Sequence, residues 1–349
     1  MNKEINVLVR VQCATYNHVH YITDALDGFC MQQTTFPFIC IIVDDASTDG
    51  EQEIIKKYML EHFDLHNSSV AYDKDTHYGH VTFAQHKINK NCFFAALFLR
   101  ENHYSHHLSR SNYYLTENRD TKYVAICEGD DYWTDPSKLQ KQVAFLEEHE
   151  EYAMCFHAAN IKFEEGTEKI KTIAKFEIIE SKEYTSPQLY EQWIVPTASI
   201  VYRKAMVDSF IMKHPEWLIW SDTALVMKCS HTGKVFGMSD LMSVYRIQPN
   251  SVTHTASYRS CEYYFRLPNH FRCMYYNFPQ VDKASVKWSI SQAYYSRMKR
   301  QANVFCKIRD FFLFVFWDTR FARYKMASVV KRIRENYRIC VEDRILRKR

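Results

Sequence analysis

Residues 123–149, YVAICEGDDYWTDPSKLQKQVAFLEEH, run a short apolar segment into a cluster of carboxylates and then into an amphipathic stretch. YVAIC (123–127) has the pattern of a strand buried on both faces. Glu128, Asp130 and Asp131 follow at once. DPSKLQKQVAFLEEH (135–149) reads as a helix with Pro136 near its first turn. Like charges crowded at the end of a buried strand are tolerable where a divalent cation neutralises them. Mg2+ and Mn2+ take oxygen ligands, commonly one or two carboxylates together with substrate phosphates.

Working outward, INVLVRVQC (5–13) reads as a strand and HYITDALDGFCMQQ (20–33) as an amphipathic helix. FICIIV (38–43) is a second doubly buried strand, DDASTDG a turn, and EQEIIKKYMLEHF (51–63) a helix. SVAYD (69–73) is a weaker strand. This alternation predicts a parallel α/β sheet with right-handed crossovers over the first 150 residues. Residues 152–247 are more mixed: YAMCFHAAN, ASIVYR and KVFGM read as strands. SDTALVMKCSHTG (221–233) reads as a helix, capped by Ser221 or Asp222 and stopped at Gly233. Beyond Tyr258 the strand signals fade. A boundary near residue 255 leaves 1–255 as an α/β domain and 256–349 as a helical, basic and aromatic-rich region. Ligands of open parallel sheets bind outside the carboxyl ends of the strands. Two acidic clusters fall there, Asp44-Asp45 and Glu128/Asp130/Asp131.

Composition narrows the classes. Only 7 of the 349 residues are Gly, and no Gly-rich phosphate-loop or dinucleotide motif occurs. The 11 cysteines form no C-x-x-C, their number is odd, and several lie in apolar runs. They read as buried, reduced thiols of a cytosolic chain. MNKEINVLVRVQC is no signal peptide, and FFLFVFW (311–317) is too short to span a bilayer. From Arg297 to Arg349 there are 16 Lys/Arg against 5 Asp/Glu, a surplus of 11 within a net charge of +4, so the rest of the chain is acidic.

VQCATYNHVHYITDALDGFCMQQTTFPFICIIVDDASTDG (11–50) followed by YVAICEGDDYWTDPSKLQKQVAFLEEH resembles bacterial family 2 glycosyltransferases of the GT-A fold. The match is good over 5–45 and 121–160 and looser over 195–255. The resemblance implies an α/β GT-A architecture, a mostly parallel sheet flanked by helices, with a helical C-terminal extension here. It also implies inverting sugar transfer from a nucleotide-diphosphate donor with Mg2+ or Mn2+. Carried over by position, Thr15 and Asn17 of ATYN touch the nucleotide, and Asp45 binds its uracil or ribose side. EGDD stands where the family has D-x-D. Glu128 then replaces the first acid, Asp130 is the metal ligand, and Asp131 orients the site or the sugar. Asp222 falls at the catalytic base, with Ser221 where a Glu usually precedes it. Tyr245-Arg246 and His254 stand near the phosphates, with His254 a further metal ligand. Lys87, Asn89 and Asn91 lie in a long segment (81–121) that replaces the family's short donor loop. No Q-x-x-R-W is present, so nothing suggests a processive synthase. The acceptor implied is a glycan or lipid-linked glycan, met in the cytosol at the inner face of the membrane during polysaccharide or lipopolysaccharide synthesis.

The chemistry is consistent with these residue types. A metal stabilises the leaving diphosphate, one carboxylate base takes the acceptor proton, and positioning of the donor lowers the barrier. Plainer readings stand beside it. Asp44-Asp45 and Asp222 also suit helix caps, and the His-rich ENHYSHHLSR (101–110) fits a solvated loop better than any zinc pattern. The basic C-terminal region fits either an interfacial membrane helix or a helical cap; nucleic acid is disfavoured, since no recognition motif accompanies the charge. Two other functions remain open: a sugar nucleotidyltransferase, and a non-catalytic sugar-nucleotide-binding or scaffold subunit.

Overall fold

FICIIVD is apolar at every position but its last, and such a segment is stable only where neighbours cover both of its faces. In the computed structural model, which describes residues 6–106, 108, 120–167, 170, 174–249 and 261–328, this segment is strand β2 (Phe38–Asp44), buried at every residue. It pairs in parallel with β1 (Val9–Thr15) on one side and β5 (Cys92–Leu99) on the other. β1 also pairs in parallel with β6 (Tyr123–Ile126). Helices α1 (Ile22–Cys30) and α2 (Glu51–His62) make the crossovers. On α1, Ile22, Ala25, Leu26 and Phe29 are buried at the i, i+3, i+4, i+7 spacing that lays one apolar stripe on a sheet.

Eleven strands form one sheet among the described residues. On one flank, β3 (Ala71–Asp75) and β4 (Gly79–Gln85) add an antiparallel hairpin outside β5. On the other, β10 (Val201–Arg203) lies antiparallel between β6 and β8 (Tyr152–Phe163). β8 pairs in parallel with the long β11 (Lys234–Ile247), which carries two short antiparallel strands, β7 (Tyr132–Trp133) and β9 (Lys182–Glu183). The sheet is therefore mixed, with one parallel part, β5-β2-β1-β6, in the middle and the parallel β8–β11 pair towards one edge. The stretch 81–121, to which the sequence reading assigned no strand or helix, contains part of β4 and all of β5, whose CFFAALFL is buried throughout.

Trp133 anchors the floor of this unit. Its indole N–H donates to the Ala198 carbonyl at 2.8 Å, and its ring packs edge-on against Phe29. Lys138, at the start of α3 (Lys138–Glu148), holds its ammonium 4.0 Å from the same ring.

The chain divides into two compact units, Met1–Ile211 with Leu225–Ser251, and Met212–Ala224 with Val252–Arg349. The second thus takes in residues 212–224, which precede the boundary expected near 255; that boundary itself lies outside the described residues. Its described part is built on α5 (Cys261–Asn277), α6 (Lys283–Arg300) and α7 (Val304–Trp317). Asp282 caps α6 by accepting from the N–H groups of Ala284 and Ser285.

Candidate active site

β1 is where the connections diverge, β2 lying on one side of it and β6 on the other. Ligands of open α/β sheets settle outside the carboxyl ends of strands at such a point. Three turns meet there: Thr15–His18 after β1, Asp44–Ser47 after β2, and Cys127–Asp131 after β6.

Glu51, buried at the start of α2, ties the first two together. It accepts the Thr15 hydroxyl through Oε1, and the His18 N–H and Ser47 hydroxyl through Oε2, both at 2.9 Å. Burial raises its pKa. Asn17, at φ 57°, accepts from the Thr48 N–H at 2.8 Å and donates its own N–H to Ser47 Oγ at 3.0 Å. The ATYN turn is thus a cross-brace between strand ends. Thr15 is buried, with its hydroxyl bound to Glu51 and beside His18 Nδ1.

The third turn approaches the first too closely for any side chain at Gly129. A Cβ there would lie 2.1 Å from Thr15 Oγ1. Glu128 is exposed and Asp130 half-buried. Asp130 Oδ2 accepts from the Gln248 amide at 3.1 Å and lies 3.8 Å from His18 Nε2. Asp131 is buried. Its Oδ1 accepts the Arg246 N–H at 2.8 Å, and its Oδ2 has no hydrogen-bond partner among the described residues. Burial, then the neighbouring Asp130 and Glu128 carboxylates, push its pKa well up.

Arg246 was expected at donor phosphates, but its side chain is almost wholly consumed by protein. Nε reaches Glu164 at 2.7 Å, Nη1 the Asp130 carbonyl at 2.8 Å, and Nη2 Asp24 at 2.6 Å. The guanidinium lies over Tyr21 and Tyr132, 4.6 and 4.9 Å from their ring centres. It is a positioning residue for the acidic turn.

Two other expectations change. Asp45 is fully buried, and its carboxylate accepts the N–H groups of His103 at 2.7 Å and Tyr104 at 3.0 Å. The His-rich stretch therefore supplies a backbone clasp for Asp45. Lys87 stands between β4 and β5 at the amino end of β5, the opposite end of the sheet from the carboxylates. Its ammonium donates to the carbonyls of Leu60 and Glu61 at the end of α2, and Asn89 and Asn91 bind backbone carbonyls of residues 30–34 at that same end. None of the three is placed to hold a donor, because β4 turns the chain back before β5. His254 lies outside the described residues.

Asp222 belongs with the second unit. It stands half-buried in the first turn of α4 (Ser221–Thr232) and accepts the Thr223 N–H at 2.7 Å. Burial raises its pKa, the direction that suits a carboxylate base working near neutral pH.

The donor set suits a hard cation. No three His, Cys, Asp or Glu side chains among the described residues form a complete cage, yet Mg2+ is commonly held by one or two carboxylates with phosphates completing its shell. Asp130 and Glu128 offer accessible oxygens, and a positive charge there would relieve the carboxylate repulsion that, after burial, raises the Asp131 pKa. His18, Glu51, Gln248, Asp24 and Glu164 escaped the sequence reading. Only the position of His18 directly after ATYN could have signalled one of them.

Residues 12–77, which span the β1 and β2 turns of this site, match the family model described as Glycosyl transferase family 2. Over that segment the chain is similar to glycosyltransferase family 2. An uncharacterized protein of Mycobacterium tuberculosis (strain ATCC 25618 / H37Rv) is 31% identical to this chain over 244 residues, 69% of this chain and 59% of that one. An uncharacterized glycosyltransferase of Nostoc sp. is 22% identical over 241 residues, 68% of this chain and 64% of the relative. The chain thus spans about three fifths of the length of the curated relatives it matches. Among solved structures, S. aureus TarS 1-349 in complex with UDP-GlcNAc superposes with a TM-score of 0.54 at 18% identity, covering 89% of this chain and 81% of that one. The likeness assigns the GT-A glycosyltransferase fold. No helix among the described residues is long and apolar enough to cross a membrane.

Proposed function

We propose that this chain moves a sugar, with inversion, from a nucleotide-diphosphate donor to a glycan or lipid-linked acceptor in surface-polysaccharide or lipopolysaccharide synthesis, in the cytosol at the membrane face. The observation that carries the reading is the acidic turn after β6. Asp130 keeps an accessible carboxylate while Gln248 and Arg246 fix its side chain and carbonyl. Glu128 and Asp130 would hold Mg2+ or Mn2+ against the donor diphosphate, and the ion would stabilise the charge of the leaving group. The chain's own residues do the rest. Glu51 and Asn17 fix the β1 and β2 turns against each other, which presets the cleft. Asp131 and Arg246 hold the acidic turn in place, and Asp222 takes the acceptor hydroxyl proton. That a structural neighbour was solved with UDP-GlcNAc supports a nucleotide sugar as the donor class.

A thermal-shift panel of uridine and guanosine nucleotide sugars, with and without Mn2+, tests the proposal. One donor should raise the melting temperature only with the ion; a ligand at 100 times its Kd adds about 2.7 kcal/mol. Asp130→Ala should abolish that shift. No response to any nucleotide sugar, or an unchanged shift in Asp130→Ala, would overturn the assignment. Donor binding without release of nucleoside diphosphate, given an acceptor, would favour the scaffold reading.

A further inference from the structure

The second unit carries a feature that sugar transfer does not need. Helix α7, VFCKIRDFFLFVFW, leaves most of its large apolar side chains in solvent: Phe305 is 82% exposed, Phe316 77%, Phe312 65% and Val304 64%, with Ile308 and Phe311 also exposed. At about 100° per residue these side chains, with Val315, share one arc of about 140°. Lys307 stands at one margin of that arc and Arg309 at the other, both exposed, the Arg309 guanidinium also reaching Asp310 Oδ1 at 3.2 Å. The only acid on the helix, Asp310, is fully buried on another face, where the Arg297 guanidinium grips it at 2.6 and 2.8 Å. Phe314 is buried too, its carbonyl accepting the Ser291 hydroxyl of α6. The helix is thus pinned by its inner face, and its outer face is apolar, aromatic and bordered only by cations.

We infer that the outer face of α7 is a docking surface for an anionic lipid bilayer, on which the helix lies in the interface plane. An apolar arc sunk to the acyl boundary with Lys/Arg at the headgroups is the arrangement of interfacial helices. Charge decides between occupants. A second copy, packing the same face on itself, would set Lys307 and Arg309 against their own kind with no exposed acid on the helix to receive them. The inference makes specific the membrane placement proposed above, and it is independent of the donor site.

Flotation of the full chain with phosphatidylcholine vesicles, with and without phosphatidylglycerol, tests it. The chain should float with the anionic vesicles, less so at high salt. Phe305→Glu/Phe312→Glu should lower the partition at least about tenfold, and Lys307→Glu/Arg309→Glu should remove the preference for anionic lipid. Phe305→Ser, a small change at a solvated position, should weaken binding in the same direction if the double variant does not fold. Asp130→Ala should float like the parent, so a failed donor site leaves the result unchanged. Undiminished flotation of the Phe variants, or equal binding to neutral vesicles, overturns the inference. So does self-association in sedimentation velocity that Phe312→Glu abolishes without any vesicle binding, since it identifies a second copy as the occupant.

Discussion

Arg246 Nη1 donates to the main-chain oxygen of Asp130 at 2.8 Å, across 116 residues of sequence. Its own N–H meets Asp131 Oδ1 at the same distance. One residue of β11 thus holds two of the three acids of the β6 turn, Asp130 through its backbone and Asp131 through its side chain, while Glu164 and Asp24 balance its charge. Removing the side chain leaves the Asp130 carbonyl without this donor and Glu164 with Lys162 as its remaining cationic partner. Arg246→Ala should lose about 3 kcal/mol, less than a fully buried pair would because Asp24 is half exposed and screened. Arg246→Lys should recover only part, since one ammonium cannot reproduce the three-way fork. Urea denaturation of both variants measures this. Equal stability of Arg246→Ala and the parent would count against the clamp.

Gly129→Ala places a methyl 2.1 Å from Thr15 Oγ1 and 2.6 Å from Thr15 Cβ. Thr15 cannot retreat, because it is buried and its hydroxyl is bound to Glu51. The β1 and β6 turns must separate, at about 2 kcal/mol. Lower thermal stability should come with a lost donor-induced shift. A variant with the parent's melting point would show that the turns have more room than this.

Asp222→Asn keeps the size of the side chain and an oxygen to accept the Thr223 N–H, but removes the base. Turnover should fall by about 10²-fold or more while the donor-induced thermal shift persists. If turnover survives, the proton leaves by another route. If instead the helix weakens with no loss of turnover, Asp222 is only a cap.

Lys138 is fully buried, with Gln142 Oε1 at 2.8 Å as its hydrogen-bond partner. Burial lowers its pKa from 10.5 to about 7. The unfolded chain therefore holds the extra proton between those values, and stability should rise with pH across that window. Between pH 7 and 8.5 the parent should gain on the order of 2 kcal/mol relative to Lys138→Met. Comparison with the variant cancels the cysteines and other groups that titrate there. Parallel stability curves would mean that Lys138 stays charged over the Trp133 ring.

Where local pattern and burial agree, the fold was legible. β1, β2, β6 and helices α1 to α3 lie within a few residues of their sequence-predicted spans, because alternating buried strands and one-sided helices carry their periodicity in the chain itself. CFFAALFL is as apolar as FICIIV, yet β5 went unread inside the long segment 81–121; the antiparallel hairpin that delivers it breaks the expected alternation. Lys87 was misplaced for the same reason, because strand direction decides which end of the sheet a residue occupies.

What the sequence determined by itself is which residue types stand at the strand ends: carboxylates after β2 and β6, a Gly where two turns touch, and a polar turn after β1. Those follow from the local spacing of apolar and charged side chains. What the tertiary structure decided is how each is used. Asp45 is clasped by the backbone of His103 and Tyr104, Arg246 is turned inward on the acidic turn, and Asp130 is left accessible. A buried charge takes whichever partner folding brings within about 3 Å, and that partner can lie a hundred residues away where no local pattern records it.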